Sequence, residues 1–303
     1  MFDEKIDVIE ERLLHQSKRL MKLLLADKTT NNNIIWATDD YWNDNGFGFR
    51  FSDEIHAESL TGIFKTVVQP RIAKSQEKQL ERTKIKAEVY TPAWVCNKQN
   101  NLVDSIWFGR ENVFNTETEK NWITNPQKVE FPKNKTWQDY VDDRRLEITC
   151  GEAPYLVSRY DNATGLAIPI QDRIGLLDRK LRVVCENACS NEEWLKWGER
   201  AVQSIYGFEF QGDNLLIARE NVLYTYIDYY KYFNKTATDL KNIEHISTVI
   251  AWNIWQMDGL TYRPPYINNS KSKDEFDLTL PLCRIKDWRS NRVVLFKSLL
   301  KEH

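Results

Sequence analysis

The sequence lacks the features that mark several large classes of protein. Its five cysteines are an odd number scattered along 303 residues, which suits a reducing compartment better than a disulfide framework. No run approaches the roughly 18 apolar residues of a membrane span, and the acidic N-terminus has no apolar signal-peptide core. Internal repeats and low-complexity linkers are also absent. These absences predict a soluble, cytoplasmic protein with no membrane partner.

Excess charge of one sign and metal-ligand spacings are missing too. The formal net charge is −2, so a surface that binds nucleic acid would have to be a local patch. Cys185 and Cys189 are spaced C-x-x-x-C, but no second cysteine pair or nearby histidine completes a zinc site. No spacing indicates a serine or cysteine nucleophile beside a histidine. The sequence therefore predicts no metal, and the catalytic residues stay unknown.

Residues 1–88 are predicted to form a mainly helical region. Residues 6–26 carry apolar side chains at helical spacing, on a face made by Ile6, Ile9, Leu13, Leu20 and Leu24. Residues 34–54 indicate short strands around an Asn-Gly turn. A second helical stretch runs from Ser59 to about Ile85, and Pro70 must start, break or kink it.

The latter half of this second stretch is basic. Cations outnumber acids there, and the set of interest is Lys74, Lys78, Arg82 and Lys84. This basic stripe is either an ordinary solvated helix face or a surface that contacts nucleic-acid phosphates. On the second interpretation these four residues bind DNA, which is then the predicted partner.

Residues 89–303 show short apolar strands alternating with helical segments, the pattern of an α/β domain. A first strand, "LEITC" (146–150), ends at Gly151 and is expected to continue as a helix with Pro154 in its first turn. A second strand closes on Glu209, and a third apolar run ends in Asp258. A glycine that lets backbone approach a ligand and an acid that accepts ribose hydroxyls fit the carboxyl edge of a nucleotide-binding sheet.

The spacing between these features requires an insertion. Dinucleotide-binding folds place the ribose acid roughly 20 residues after the glycine turn, whereas Gly151 and Glu209 are much further apart. A helical insertion around 161–200 is therefore expected between the first two strands. It contains several arginines and lysines, so it either packs on the domain or offers a phosphate-binding surface.

Over about residues 85–260 the chain resembles adenine-specific DNA methyltransferases of restriction–modification systems. Four segments in the family's order carry the likeness: "YTPAWV" (90–95), "EITCGEAPYL" (147–156), "YGFEFQGDNLLIAREN" (206–221) and "NIWQMDGL" (253–260). The resemblance implies a Rossmann-like domain that binds S-adenosyl-L-methionine through Tyr90, Thr91, Pro92, Glu147, Thr149, Cys150, Gly151, Glu209 and Asp258. The alternatives are a plain strand-to-turn entry at 90–92, a solvent-facing acid at Glu209 and a turn cap at Asp258.

The chain departs from the family in two places. The second glycine of the cofactor loop is Ala153, and Glu152 replaces a small polar residue, so its carboxylate must point away from the cofactor or pair with a base. The catalytic Asn/Asp-Pro-Pro-Tyr motif is replaced by "RPPY" (263–266). Arginine donates hydrogen bonds but cannot accept them, so Arg263 cannot take the motif's role.

The resemblance implies methyl transfer from S-adenosyl-L-methionine to an adenine amino group in DNA, in a restriction–modification or phage-defence system. The missing motif favours a second hypothesis, in which a catalytically inactive chain serves as a DNA-binding, specificity or regulatory subunit. A partner subunit would then supply target recognition or catalysis. A Rossmann-like enzyme that uses another nucleotide is a third hypothesis, which gives residues 90–92 no role.

Overall fold

The computed structural model describes residues 10–86, 91–265 and 281–300. Its α-helices are α1 (Glu10–Gln16), α2 (Lys18–Leu25), α3 (Trp42–Asn45), α4 (Gln76–Lys86), α5 (Ala93–Phe108), α6 (Trp137–Asp142), α7 (Leu176–Asn187), α8 (Asn191–Gln203), α9 (Gly212–Asn234) and α10 (Leu240–Asn253). Over the described residues, none of these helices combines the length and the apolar character needed to cross a membrane.

The strands form one parallel sheet and two small antiparallel pairs. They are β1 (Asn115–Glu117), β2 (Trp122–Thr124), β3 (Arg145–Glu147), β4 (Ile205–Glu209), β5 (Ile254–Gln256), β6 (Arg284–Asp287) and β7 (Arg292–Leu295). The parallel sheet has the order β3-β4-β5, and β1-β2 and β6-β7 are the antiparallel pairs. Parallel neighbours need long crossover connections, which α7 with α8 and α9 with α10 provide. The prediction of a mixed α/β fold is confirmed at this level.

The middle strand is buried along its whole length. All five residues of β4 are buried, as expected for a parallel strand covered on both faces. Its register pairs Leu146 with Tyr206 on one side and Phe208 with Trp255 on the other. Gly207 lies in its centre, where an added Cβ would stand 3.2 Å from the Cys150 sulfur. The chain after β3 therefore packs closely over β4.

The prediction of a helix directly after the first strand is wrong. β3 ends at Glu147, and the next α-helix, α7, begins only at Leu176. Short turns form in between; in one of them the amides of Leu156 and Val157 both donate to the Ala153 carbonyl. Left-handed φ values at Thr149, Gly151 and Ala153 prevent regular α-helix in this segment.

The insertion expected at 161–200 is helical only in its second part. Residues 161–175 contain a short 3-10 turn at Ile170–Asp172, and α7 and α8 follow. Arg179 and Lys180 on α7 are only 1% exposed. Arg179 pairs with Asp104 at 2.6 Å, and Lys180 donates to the Ser204 hydroxyl at 2.7 Å. Of the two interpretations of this segment, packing on the domain is the one observed for these side chains.

The N-terminal helices belong to the same hydrophobic core as the parallel sheet. The helix predicted over 6–26 is divided at Ser17, whose hydroxyl oxygen accepts the Leu20 amide and caps α2. Arg219, fully buried on α9, donates to the carbonyls of Leu24 and Ala26 at the end of α2 and of Ile254 in β5. The domain boundary predicted near residue 88 lies in the segment 87–90, outside the described residues.

Candidate functional site

A cavity of about 850 Å³ lies at the carboxyl ends of β3 and β4. This is the edge at which open α/β sheets bind their ligands. The cavity is lined by the ends of the two strands, the turn 148–154, one face of α5 and two residues of the N-terminal region, Ala37 and Phe51. Six predicted cofactor residues line it: Thr91, Glu147, Thr149, Cys150, Gly151 and Glu209.

The turn that forms one wall is held by hydrogen bonds to β4. The Cys150 amide donates to the Phe208 carbonyl at 2.8 Å, and the Gly151 amide donates to Glu209 Oε2 at 2.8 Å. Gly151 has a φ of 53°, a left-handed value that glycine adopts readily. Thr149, a β-branched residue at φ 46°, is strained there. A strained turn fixed to a strand end is typical of a ligand-binding loop.

Glu209 connects the turn to the start of α9. Its Oε1 accepts the Gln211 amide at 3.1 Å, so each carboxylate oxygen holds one backbone amide. The residue is 7% exposed, and burial raises its pKa above the ordinary value, partly offset by these amides. Each oxygen keeps a further lone pair, which can accept a hydroxyl of a ligand in the cavity.

Glu147 is a second buried carboxylate beside Glu209. Its two oxygens accept the amides of Tyr155 at 3.3 Å and Leu156 at 3.1 Å. Burial raises the pKa of Glu147 to about 8, and the neighbouring charge of Glu209 adds to the rise. Two buried acids thus end adjacent strands at the wall of the cavity.

Glu147 should make the protein less stable as the pH rises. Its pKa rises from 4.5 to about 8 on folding, so the folded chain holds the proton more tightly than the unfolded chain. The stability that this proton contributes is full below pH 4.5 and is lost as the pH rises through about 8. The free energy of unfolding should fall by at most roughly 1.4 kcal/mol per pH unit in that window. Urea unfolding of Glu147→Gln should show a shallower fall, and equal slopes would contradict the assignment.

The Glu152 carboxylate points out of the turn. It accepts hydrogen bonds from the Arg71 amide at 2.7 Å, the Tyr160 hydroxyl at 2.7 Å and the Asn162 amide group at 3.4 Å. The residue is 2% exposed. Pointing away from a ligand is one of the outcomes expected for an acid at this position, and it leaves the Gly151 side of the turn open.

The remaining predicted cofactor residues lie apart from the cavity or outside the described residues. Pro92 is the N-cap of α5, and its carbonyl accepts the amides of Val95 and Cys96. The Asp258 Oδ1 accepts the Leu260 amide at 2.8 Å and so caps a turn after β5, as in the alternative interpretation. Tyr90 lies outside the described residues.

The basic stripe is not a solvated face at the two positions that the structure describes. The side chains of Lys74 and Arg82 are 7% and 5% exposed and pair with the buried Asp213 at 3.2 and 2.9 Å. The prediction that Lys74 and Arg82 contact DNA is wrong, because the Lys74 ammonium and the Arg82 guanidinium pair with a buried carboxylate inside the protein. The side chains of Lys78 and Lys84 lie outside the described part.

Sequence reasoning missed the side of the cavity that the N-terminal region supplies. The Gln256 side chain exchanges hydrogen bonds with the backbone of Ile35, and the Gly212 amide donates to the Trp36 carbonyl at 3.0 Å. These long-range contacts place Ala37 and Phe51 at the cavity, and no local sequence pattern predicts such contacts. Phe210 also lines the cavity, and its place directly after Glu209 was a usable signal.

Comparison with protein-family models, with curated proteins and with solved structures finds no match to this chain.

Proposed function

We propose that this chain is a DNA adenine methyltransferase-like protein of a restriction–modification or phage-defence system, with a Rossmann-like domain that binds S-adenosylmethionine. One observation carries the proposal. Residues of three separate motifs, represented by Thr91, Gly151 and Glu209, line a single cavity at the carboxyl edge of the parallel sheet. A chance likeness at each motif would give no reason for this convergence.

The size and the aromatic lining of the cavity support such a ligand. Its volume of about 850 Å³ falls within the roughly 300–1,000 Å³ of small-molecule and cofactor sites. Phe51 and Phe210 meet edge to face in the lining, with ring centroids 6.0 Å apart. An apolar aromatic surface beside the acid that ends β4 suits an adenosine, whose base is flat and whose ribose bears hydroxyl donors.

The polar lining favours S-adenosylmethionine over a phosphate-bearing nucleotide. Among the described lining residues three are acidic and none is lysine, arginine or histidine. In phosphate-binding loops the glycine amides point at the phosphate, whereas the Gly151 amide donates to Glu209. This arrangement counts against the hypothesis of a Rossmann-like enzyme that uses a different nucleotide.

When bound, S-adenosylmethionine would supply a methyl group whose transfer to an adenine amino nitrogen breaks the methyl–sulfonium bond, leaves that electron pair on sulfur as a thioether, and releases one proton that passes to bulk water. Glu209 would orient the ribose and, through its bond to the Gly151 amide, the turn around it. The walls of the cavity would exclude water from the reacting atoms. Arg263, in the position of the family's Asn or Asp, cannot accept the proton.

A second candidate function is a catalytically inactive subunit that binds DNA or a catalytic partner. Arg263 favours it, since the residue offers only donors where the family needs an acceptor. The backbone of Arg263 also pairs with that of Asp258 in an isolated bridge after β5, and Pro264 and Pro265 are buried. Tyr266 lies outside the described residues.

Calorimetric titration with S-adenosylmethionine tests the cofactor site. Wild type should bind saturably, and Glu209→Ala should raise the dissociation constant at least about tenfold, because a hydrogen bond to a charged group contributes roughly 1.5–3 kcal/mol. Glu119→Ala, at an exposed position on the turn between β1 and β2, is the matched control and should bind like wild type. Absence of binding up to millimolar concentration would overturn the proposal.

Transfer of a radiolabelled methyl group to unmethylated DNA separates the two candidate functions. Label in adenine from the purified chain, lost in Glu209→Ala, supports the enzyme. Binding of cofactor without transfer, followed by transfer once a partner from the same system is added, supports the inactive subunit.

A further inference from the structure

The hairpin of β6 and β7 concentrates positive charge in a chain whose formal net charge is −2. Five lysines or arginines and one acid lie between residues 284 and 297. Arg289 pairs with Asp142 at 2.7 Å. Such a local patch is what a chain of near-neutral net charge needs in order to bind a polyanion. Within residues 10–86, 91–265 and 281–300 no ion pair is formed by the other four cations, which are Arg284, Lys286, Arg292 and Lys297.

The face that the hairpin turns to solvent combines cations with apolar side chains. Residues directly opposite each other in an antiparallel pair share a face, and the register pairs Arg284 with Leu295 and Lys286 with Val293. Val293 and Leu295 are 49% and 42% exposed. Lys297, two residues after Leu295, is exposed as well. An antiparallel pair with one buried face normally carries polar side chains on the other, so an exposed apolar pair beside cations is typical of a contact surface.

The opposite face of the hairpin is fixed to the parallel sheet. Ile285 and Phe296 pack in a core cluster with Trp255 of β5, and the ring centroids of Trp255 and Phe296 are 5.1 Å apart. The Tyr206 hydroxyl of β4 donates to the Lys286 carbonyl at 3.0 Å. The outward face is therefore a preformed surface, and preorganisation of this kind lowers the entropic cost of binding.

The hairpin reaches the edge of the sheet at which the cavity lies. Cys283, directly before β6, has its sulfur 3.5 Å from the carbonyl oxygen of Gln256, the last residue of β5. At the other end of β6, Trp288 Nε1 donates to Asn253 Oδ1 at 2.7 Å, directly before β5 begins. The Arg284 end of the hairpin thus lies at the carboxyl end of β5, on the same sheet edge as the cavity.

We infer that the outward face of this hairpin binds duplex DNA, with Arg284, Lys286 and Lys297 contacting phosphates and Val293 and Leu295 facing the groove. The inference rests on the proposed function only for the choice of DNA as the polyanion. Duplex DNA carries one negative charge per roughly 1.7 Å of its axis, and its major groove, about 12 Å wide, admits a two-stranded β-ribbon. Thymine methyl groups in that groove offer apolar partners for the valine and the leucine.

Fluorescence anisotropy with a labelled, unmethylated duplex measures the affinity of the full chain across a series of salt concentrations. The triple variant that combines Arg284→Gln, Lys286→Gln and Lys297→Gln should raise the dissociation constant at least about tenfold near physiological salt. The slope of log affinity against log salt concentration should become shallower by about 2 to 3, since each lost phosphate contact removes roughly 0.9 from it. The variant should unfold in urea like wild type, because the three side chains lie at the surface.

A matched control removes the same charge elsewhere. Lys120, Lys128 and Lys133 are exposed on the turn between β1 and β2 and on the loop after β2. Their joint replacement by glutamine changes the net charge equally and should leave the dissociation constant within about threefold of wild type. An equal loss of affinity in the two triple variants would show that only net charge acts, and it would overturn the inference.

Val293→Ser combined with Leu295→Ser tests the apolar part of the face. This double variant should bind the duplex at least about threefold more weakly. Its salt slope should equal that of wild type, because no phosphate contact is lost. Unchanged affinity, or a changed salt slope, would overturn the placement of the groove against these two residues.

The outcomes separate failure of this inference from failure of the proposed function. Wild-type affinity for DNA in the hairpin triple variant would overturn the DNA surface, and so would binding of anionic phosphatidylserine vesicles in place of DNA. Either result leaves the cofactor site to the separate titration with S-adenosylmethionine. Binding of neither DNA nor S-adenosylmethionine by wild type would overturn both.

Discussion

Gly212→Ala should destabilise the protein by several kcal/mol, the largest effect of a single methyl group that we expect. Gly212 is the first residue of α9, and a Cβ there would stand 2.0 Å from the Ile35 carbonyl oxygen and 2.9 Å from its carbonyl carbon. Both are backbone atoms, so no side-chain rotation relieves the clash. The helix would have to move away from residues 34–37, which the Gly212 amide also binds through the Trp36 carbonyl.

Urea unfolding of wild type and of Gly212→Ala measures this effect. We expect a loss of roughly 3–5 kcal/mol, at the upper end of single substitutions because overpacking meets backbone. Gly259→Ala is the matched control, since its Cβ would meet only the ring edge of Phe208 at 3.3 Å. A loss below about 1 kcal/mol in Gly212→Ala would show that α9 does not begin against the N-terminal region as described.

Asp213→Asn should lower the free energy of unfolding nearly as much as Gly212→Ala does. The Asp213 carboxylate is fully buried and lies 3.2 Å from Lys74, 2.9 Å from Arg82 and 2.5 Å from the Tyr41 hydroxyl. The two cations hold its pKa well below the usual range, against the effect of burial. The variant removes the carboxylate that both buried cations share, while Asp40 stays 3.5 Å from Arg82. Breaking a buried pair in this way costs roughly 3–5 kcal/mol.

The stability lost in Asp213→Asn should be larger near neutral pH than in acid. Because the folded pKa of Asp213 is depressed, its contribution to stability is full above the unfolded value of 3.8 and is lost as the pH falls further. Urea unfolding should therefore show a wide gap between wild type and Asp213→Asn near pH 7 and a narrowing gap below that value. Glu119→Gln, an exposed acid, should stay within about 0.5 kcal/mol of wild type. An equally small change in Asp213→Asn would contradict the description of this cluster.

The end of the middle strand was predictable from local sequence, because the apolar run that closes on Glu209 coincides with β4. The first strand was predicted over 146–150, but β3 ends at Glu147. Glu147 and Glu209 still line one cavity, as the carboxyl ends of parallel neighbours are expected to do. The segment after β3 was not predictable as irregular. Its sequence suits a helix, but the left-handed φ values at Thr149, Gly151 and Ala153 interrupt one.

The basic stripe shows why burial of charge escapes sequence reasoning. Lys74 and Arg82 lie among other polar residues in a stretch that reads as a solvated helix face. Their burial depends on Asp213, which is 139 positions from Lys74 in the chain. Arg82 also donates to the Gln211 side chain at 2.6 Å, so the N-terminal region is tied to the residue beside Glu209. An ion pair between residues so far apart in the chain leaves no periodic pattern in the sequence.

Hydrogen–deuterium exchange with and without S-adenosylmethionine tests the central claim most directly, because it locates the ligand on the chain. Binding in the cavity at the carboxyl ends of β3 and β4 predicts slower exchange at the amides of residues 148–156 and 209–214, and little change in β6 and β7. Protection that is absent from both segments, or confined to the separate cavity lined by residues 39–44 and 66–77, would contradict the account.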